Sequence, residues 1–431
     1  MRIKRNLIRN TIISSPLFII FCLSLSIIWE ISYIKLSIPL LILLLVFIVT
    51  LKEFTNKETR VYFILISLIK FCFLIYQAKF KNLPMGGNDW VGYLRHAENL
   101  LNNSTIFLDL LIIADVNLFS RIMAVIFYFF DINLPVINVF VFICSLVLVK
   151  FTHKTAKLLT ESAFMANLSA LLISIWPISF IFGITILREI PIQLACMMSI
   201  YYFIKCLKKY NFSSLLLSFT FAVIAASFHS GMIALLLVYF IILCFYNFKK
   251  KRIGLRIQQF ALVFFVLIVV FMTPISNTLF SKFDSINNVD DLVEVSSYSA
   301  GNTAYITGSA SSLQEIIVQS PYRLIMFSAA PLPWQVINSA TLMAWLIDGI
   351  PRMVLLWGIV NWISVYKPKN DTEKVIKFTL ISSILFIYII HAMGTANYGT
   401  AMRHRSKTLS LEIIILLWGI AIKRKKRIKN G

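Results

Sequence analysis

The sequence predicts an all-α fold, a polytopic transmembrane helical bundle with about twelve spans. The chain has 431 residues, is 59% hydrophobic and has a mean hydropathy of +0.82. A soluble protein could not bury that much apolar surface. The apolar residues come in runs of about 16–22, long enough to cross a ~30 Å hydrocarbon core as helices. We therefore expect a single transmembrane domain covering 1–431.

The apolar runs give the spans in chain order. We place them near 11–29, 37–51, 61–77, 132–151, 163–181, 190–206, 213–228, 231–248, 257–277, 340–364, 375–392 and 407–422. The basic start "MRIKRNLIRN" is followed by an apolar run and no small-residue cleavage site. This pattern favours an uncleaved first helix with its N-terminus inside.

The net charge of +22 does not indicate nucleic-acid binding, because the basic residues collect between the apolar runs. With Met1 inside, the loops and the tail expected in the cytoplasm are basic: loops 52–60, 150–157, 205–209, 248–256 and 366–374, and tail 423–430. The segments expected outside carry far less Lys: 30–36, 78–131, 182–189, 229–230, 278–339 and 393–406. This alternation predicts twelve spans with both termini in the cytoplasm.

Two outer loops, 78–131 and 278–339, are long, and we expect both to line the functional site. In the first, the apolar stretches 105–114 and 118–130 are too short to span a membrane, so we expect interfacial helices there. The second begins with a run rich in Ser, Asn and Gly. It continues into a predicted surface helix at 313–328.

The polar stretch "MGGNDWVGYLRHAENLL" in the first outer loop contains the first candidate residue, Asp89. Gly86 and Gly87 allow a sharp backbone turn. A helix beginning near Asn88 or Asp89 would place Tyr93 on the same face as Asp89. The alternative is that Asp89 only caps that helix.

Two further candidates follow apolar runs on the outer side. In "ILREIPIQL", Arg188 and Glu189 precede a helix whose first turn holds Pro191. The alternative is an interfacial ion pair that extends to the lipid headgroups. In "SFHSG", His229 lies in a tight turn, where it could transfer protons or simply make local hydrogen bonds.

The stretch "GTANYGTAMRHRSK" departs from the positive-inside pattern, because Arg403 and Arg405 flank His404 on the outer side. Arginine offers a planar fork of donors that suits phosphate. This cluster therefore predicts an anion site, with lipid headgroup contact as the alternative.

The remaining polar motifs favour structural roles. Asp348 and Arg352 are four residues apart and are expected to pair along one helix face. The six cysteines lie in or beside apolar runs and suggest neither a disulfide framework nor a zinc site. We recognise no paired intramembrane histidine constellation, no Walker motif, no HExxH and no GxSxG. No cofactor is expected, and a divalent metal is not indicated.

Taken together, these stretches resemble the GT-C superfamily of membrane glycosyltransferases, which use polyprenyl-phosphate-linked sugars on the extracytoplasmic side. The resemblance is carried by "GGNDWVGYLRHAENLL", "AFMANLSALLISIWPISFIFGITILRE", "SAAPLPWQ" and "NYGTAMRHR". The Asp…Tyr, Arg-Glu and "FHSG" pattern is also similar to Wzy-type polysaccharide polymerases, which act on undecaprenyl-diphosphate-linked units. Two departures from many GT-C members favour the polymerase: three spans precede the acidic loop, and the stretch "MGGNDWVGYLRHAENLL" has a single Asp where some members show an Asp/Glu pair.

The resemblance implies roles for individual residues. Asp89 would be the general base that deprotonates the acceptor hydroxyl, with Glu189 or His229 assisting. The implied substrate and phosphate-binding residues are Tyr93, Arg188, Arg403, His404 and Arg405. The implied partners are a polyprenyl-linked sugar donor, a glycan acceptor and membrane lipids. The implied location is a bacterial plasma membrane with the active site outside.

Two other classes of protein compete with this interpretation. A lipid-linked glycan transporter would place its binding groups near the bilayer midplane, often in repeated halves. Here the polar groups collect on one side, and no internal repeat is visible. A membrane acyltransferase that modifies surface sugars would use His229 as its base.

Overall fold

The computed structural model describes residues 19–80, 83, 89–104, 107, 110, 117–255 and 313–430. The predicted span 257–277, the polar run after it and the Gly-Gly turn before Asp89 lie outside the described residues. The chain divides into two compact units: Met1–Val147 with Ile181–Leu187, and Leu148–Phe180 with Arg188–Gly431. The single domain expected from the sequence stays a prediction.

The first unit is built from helices. They are α1 (Ile19–Trp29), α2 (Tyr33–Leu51), α3 (Lys57–Phe80), α4 (Asp89–Asn103) and α5 (Leu118–Phe130). Helix α6 (Leu134–Thr160) begins in this unit and continues into the second.

The second unit is also helical over its described residues, apart from one short hairpin and a few tight turns. Its helices are α7 (Ala163–Ile175), α8 (Pro177–Phe182, at the unit boundary), α9 (Glu189–Lys208), α10 (Phe212–Phe228), α11 (Ile233–Phe245), α12 (Leu313–Ala329), α13 (Ser339–Ala344), α14 (Ile350–Val365), α15 (Asp371–Met393), α16 (Tyr398–Ser406) and α17 (Leu409–Asn430). The hairpin pairs β1 (Tyr246–Asn247) antiparallel with β2 (Arg252–Ile253).

Six helical segments are long and apolar enough to cross a membrane: α2, α3, α6, α9, Ser339–Val365 and α15. Every predicted span except 257–277 overlaps a described helix. Helices α1, α5, α7 and α10 and the segment Ser230–Phe245 are apolar but shorter. The all-α membrane class therefore agrees with the described residues, and the number of twelve spans stays a prediction.

The predicted helix 163–181 is interrupted at Trp176. Helix α7 ends at Ile175, Trp176 has an extended ψ of 125°, and α8 begins at Pro177. The break has a steric cause, because the proline ring clashes with a helical conformation of the preceding residue.

The expectation that 150–157 is a loop is wrong, because α6 continues through this basic segment to Thr160. Within it, His153 is buried, and its Nε2 lies 3.0 Å from Oδ1 of Asn167 on α7. Helix formation depends on backbone hydrogen bonds, and lysine is a good helix former. The basic segment therefore extends the helix past its apolar part.

A buried lysine lies inside the first unit. Lys70 on α3 is 4% exposed, and its Nζ donates a hydrogen bond to Ser145 Oγ on α6 over 2.7 Å. Gly183 lies against this pair: a Cβ there would be 2.7 Å from Lys70 Cε and 2.8 Å from Ser145 Oγ. The missing side chain of Gly183 thus makes room for the ammonium group.

A buried network of charged side chains lies inside the second unit. The predicted pairing of Asp348 with Arg352 is confirmed, with 3.6 Å between Oδ1 and Nη2. Arg352 also forms an ion pair with Glu412 on α17 and donates to Tyr388 Oη over 2.7 Å. The hydroxyl of Tyr388 donates to Glu412 Oε1 over 2.6 Å. Each charge therefore has an opposite charge beside it, which offsets the cost of burial.

Asp348 reaches this network from a π-helical turn, Trp345–Gly349, between α13 and α14. Pro351 follows the turn and has no N–H to continue a regular ladder of helical hydrogen bonds. Gly349 is packed closely, since a Cβ there would lie 2.6 Å from the Trp345 ring and 3.0 Å from the Pro331 carbonyl oxygen. Such turns inside helices are frequent at functional sites.

Candidate functional site

Three histidines that are far apart in the sequence meet in the second unit. The ring of His229 lies 4.7 Å from each of the rings of His391 and His404, centroid to centroid, and those two rings stack at 4.3 Å. We call His229, His391 and His404 the histidine cluster. The sequence by itself did not reveal this grouping of three histidines.

Each histidine is placed by the end of a helix or by a short helix. His229 follows α10 directly and begins the short 3-10 turn before α11. His391 lies in the last turn of α15. His404 lies on α16, whose start is capped by Asn397, which accepts the amide hydrogen of Thr400 over 2.9 Å. The cluster therefore depends on three separate helix–helix packings.

Lys407 joins two of the rings. It is 1% exposed and lies in the turn between α16 and α17. Its Nζ lies 2.8 Å from His404 Nδ1 and 3.3 Å from His391 Nε2. This residue, like His391, was not singled out from the sequence.

Arg188 connects the start of α9 with the end of α10. Its Nη1 donates to the Phe228 carbonyl oxygen over 3.1 Å, so the predicted stretches "ILRE" and "SFHSG" lie side by side.

Burial holds the pKa of His229, in the turn after α10, well below its usual value, and the nearby basic groups add to this effect. In order of effect, those groups are Lys407, His404, His391 and Arg188. The surroundings of His229 are therefore strongly basic.

Glu189 is the first residue of α9 and is 4% exposed. Its Oε2 is buried and has no hydrogen-bond partner among the described residues. A buried oxygen of this kind normally bonds to a protein group, a water or a ligand. The carboxyl group is therefore suited to accept a hydrogen bond from a substrate hydroxyl.

The two predicted phosphate-binding arginines of α16 differ in their surroundings. Arg403 is half-buried. Arg405 is fully buried: its Nε donates to Asp348 Oδ2 over 2.6 Å, and its Nη1 donates to the Phe327 carbonyl oxygen over 2.9 Å. The guanidinium of Arg405 is thus engaged within the protein, which favours a structural role over phosphate binding.

The predicted helix at Asp89 is confirmed, since α4 begins at this residue. Asp89 is exposed. Tyr93 is half-buried and packs edge-on against Phe119 of α5, with 5.1 Å between ring centroids. Asp89 and Tyr93 belong to the first unit, whereas the histidine cluster and Arg188 belong to the second.

Two sequence signals could have identified the missed residues. His391 is an ionisable group within the apolar run 375–392, and such groups are functional candidates by default. Lys407 ends the stretch "GTANYGTAMRHRSK" and is a further basic residue beside Arg403 and Arg405, at the start of the predicted span 407–422. Neither signal states which ring Lys407 contacts, because that depends on how α15 packs against α16.

No protein family, curated protein or solved structure matches the chain.

Proposed function

We propose that the chain is a membrane glycosyltransferase that uses polyprenyl-(di)phosphate-linked sugar donors on the extracytoplasmic face, in cell-surface polysaccharide biosynthesis. One observation carries the proposal. Arg188, His229 and His404 come from stretches far apart in the sequence, and they gather in one basic site.

The chemistry of the donor suits a basic site. When a sugar leaves a lipid-linked phosphate, the bond between the anomeric carbon and a phosphate oxygen breaks, and that oxygen gains negative charge. Fixed positive groups and N–H donors in a water-poor site stabilise this charge strongly. In the proposed enzyme, Arg188 and the histidine cluster supply these groups, and the half-buried Arg403 is a further candidate on α16.

The acceptor hydroxyl needs a base in the same reaction. Two carboxylates are candidates. Asp89 is exposed at the start of α4, and Glu189 is buried beside Arg188 with an oxygen that has no hydrogen-bond partner among the described residues. We keep Asp89 as the proposed base and Glu189 as the group that assists it.

One observation favours a repeat-unit polymerase as the second candidate. The hydrogen bond from Arg188 to the Phe228 carbonyl joins the Arg-Glu stretch to "FHSG". Together with the Asp89…Tyr93 pattern, these two stretches carry the resemblance to Wzy-type polymerases. Both candidates share the donor chemistry and differ in the acceptor and in the size of the glycan that is transferred.

The lipid-linked glycans of a deletion strain, measured by mass spectrometry, test the proposal. Loss of a transferase leaves an incomplete unit on the lipid carrier, and loss of a polymerase leaves single complete units. Complementation with Arg188→Ala should reproduce the deletion, whereas Arg424→Ala, at an exposed position of α17, should restore the product. Complete product trapped inside the cell, or an unchanged glycan profile, would refute the enzyme.

A further inference from the structure

The histidine cluster has the composition of a metal site, since one ring nitrogen from each residue lies within 4.8 Å of one from each of the others. The hydrogen bonds made by its rings favour an anion over a metal ion. We propose that the cluster binds a phosphate or diphosphate group, with Lys407 and Gly231 fixing the protonation of its rings. This inference deepens the proposed function, on which it rests only for the identity of the lipid carrier.

The bonds of Lys407 determine two of the tautomers. A lysine ammonium is a donor and has no acceptor atom. His404 Nδ1 and His391 Nε2 therefore accept from Lys407 Nζ over 2.8 and 3.3 Å. A neutral imidazole that accepts at one nitrogen carries its proton on the other. The structure thus assigns the protons to Nε2 of His404 and Nδ1 of His391.

The backbone of Gly231 determines the third tautomer. Its N–H donates to His229 Nδ1 over 3.2 Å, so the His229 proton lies on Nε2. Gly231 also lies against His391, because a Cβ at this position would be 2.7 Å from His391 Nδ1. The absence of a side chain at Gly231 therefore lets the His391 ring pack against the turn that holds His229.

These tautomers oppose metal binding and favour an anion. A histidine that ligates a metal offers the lone pair of one nitrogen and donates the N–H of the other to an acceptor. Here, in all three rings, the second nitrogen accepts from a donor. A divalent cation would also lie close to the ammonium of Lys407. Three imidazole N–H groups next to an ammonium instead provide the charge and the donors that a phosphate requires.

The test uses the full-length protein in nanodiscs of phosphatidylcholine, with inorganic pyrophosphate as the probe in calorimetric titration. The wild type should bind pyrophosphate, and Lys407→Met should weaken binding by about tenfold or more, because a charge-assisted hydrogen bond is lost. Lys407→Arg should retain part of the affinity. Lys369→Met, at an exposed position, should bind as the wild type does. Gly231→Ala should weaken binding by displacing the His391 ring.

Cobalt(II) is the second probe, because its visible absorption reports coordination by histidine nitrogens. Stoichiometric cobalt coordination without pyrophosphate binding would overturn the proposal, as would equal pyrophosphate affinity in the wild type and Lys407→Met. The unfolding temperature of each unliganded variant shows whether it is folded. Gly231→Ala gives an independent result if Lys407→Met fails to fold.

Competition experiments identify the source of the phosphate. Farnesyl diphosphate that displaces pyrophosphate, while farnesol does not, would support a lipid-linked diphosphate as the occupant. Displacement by phosphatidylglycerol in the disc would assign the site to headgroups and overturn its assignment to the donor. These experiments contain no acceptor sugar, so their failure is distinguishable from a failure of glycan transfer in cells.

Discussion

Arg405 donates its Nε–H to Asp348 Oδ2 over 2.6 Å, and both side chains are completely buried. The pair joins α16 to the π-helical turn before α14. His404 is the residue next to Arg405 on α16. The ion pair therefore fixes the helix that carries His404 into the histidine cluster.

Replacing Arg405 by Ala should strongly destabilise the protein. The change leaves the Asp348 carboxylate buried without its partner on α16, and breaking a buried pair in this way costs about 3–5 kcal/mol. Denaturant titration of the protein in mixed micelles measures the loss in the free energy of unfolding.

The exposed pair Lys374–Asp371, 2.9 Å apart, provides the control. Lys374→Ala should cost far less, because water and salt screen an exposed pair. Similar losses for both variants would contradict the role assigned to the buried pair.

Gly183→Ala should destabilise the first unit. The new Cβ would overlap Lys70 Cε and Ser145 Oγ, so the buried hydrogen bond between these side chains would have to move. Overpacking of this kind costs about 1–3 kcal/mol.

Gly92→Ala is the matched control, because Gly92 lies inside α4 and a Cβ there would have no atom of the described residues within 4 Å. Alanine in a helix should stabilise by about 0.5–1 kcal/mol. Thermal unfolding should therefore shift in opposite directions, and a matching shift would argue against the tight packing at Gly183.

Asp89→Asn should lower glycan transfer by about 100-fold or more, because an amide cannot take the proton of the acceptor hydroxyl. The measurement is the yield of polymerised or extended glycan from membranes that contain equal amounts of each variant. Glu189→Gln should give a smaller loss, since this group assists the base. Glu98→Gln, on the same helix as Asp89, should leave transfer unchanged. Full activity of Asp89→Asn combined with loss in Glu189→Gln would move the role of the base to Glu189.

Acidification should destabilise the second unit through His229. Its pKa in the folded protein lies well below the ordinary value of 6.5, because burial and the Lys407 ammonium disfavour the charged ring. Below pH 6.5 the unfolded chain therefore binds more protons at this residue than the folded chain does, and stability falls as the pH decreases. Above this pH both states are neutral at His229, and the contribution is fully present. Unfolding temperatures measured between pH 7.5 and 5.5 should decrease less in His229→Asn than in the wild type. Equal slopes would show that His229 is not responsible.

The sequence predicted helix positions well where a single physical signal was involved. Apolar runs match described helices, and the helix at Asp89 begins where the polar motif indicated. The pairing of Asp348 with Arg352 could also be predicted, because a separation of four residues places two side chains on the same helix face. These are local relations, and local geometry is sufficient to predict them.

The histidine cluster could not be predicted in this way. His229, His391 and His404 lie on different helices, and nothing in their spacing states that the ends of α10 and α15 meet α16. The role of Arg405 could not be predicted from the sequence either. It belongs to the basic stretch that suggested phosphate, and yet its guanidinium bonds to Asp348, which lies 57 positions away in the chain.

By itself, the sequence determined the helical character of the chain, its long apolar runs, the approximate helix positions and the basic and acidic residues available for chemistry. The cause is that hydrophobicity and helix periodicity act over one or two turns. The tertiary structure decided which of these residues meet: the Arg405–Asp348 pair became part of the buried framework, and Lys407 became a partner of two imidazoles. Such contacts depend on the packing of several helices at once, and that packing results from the shapes of many side chains that no short motif contains.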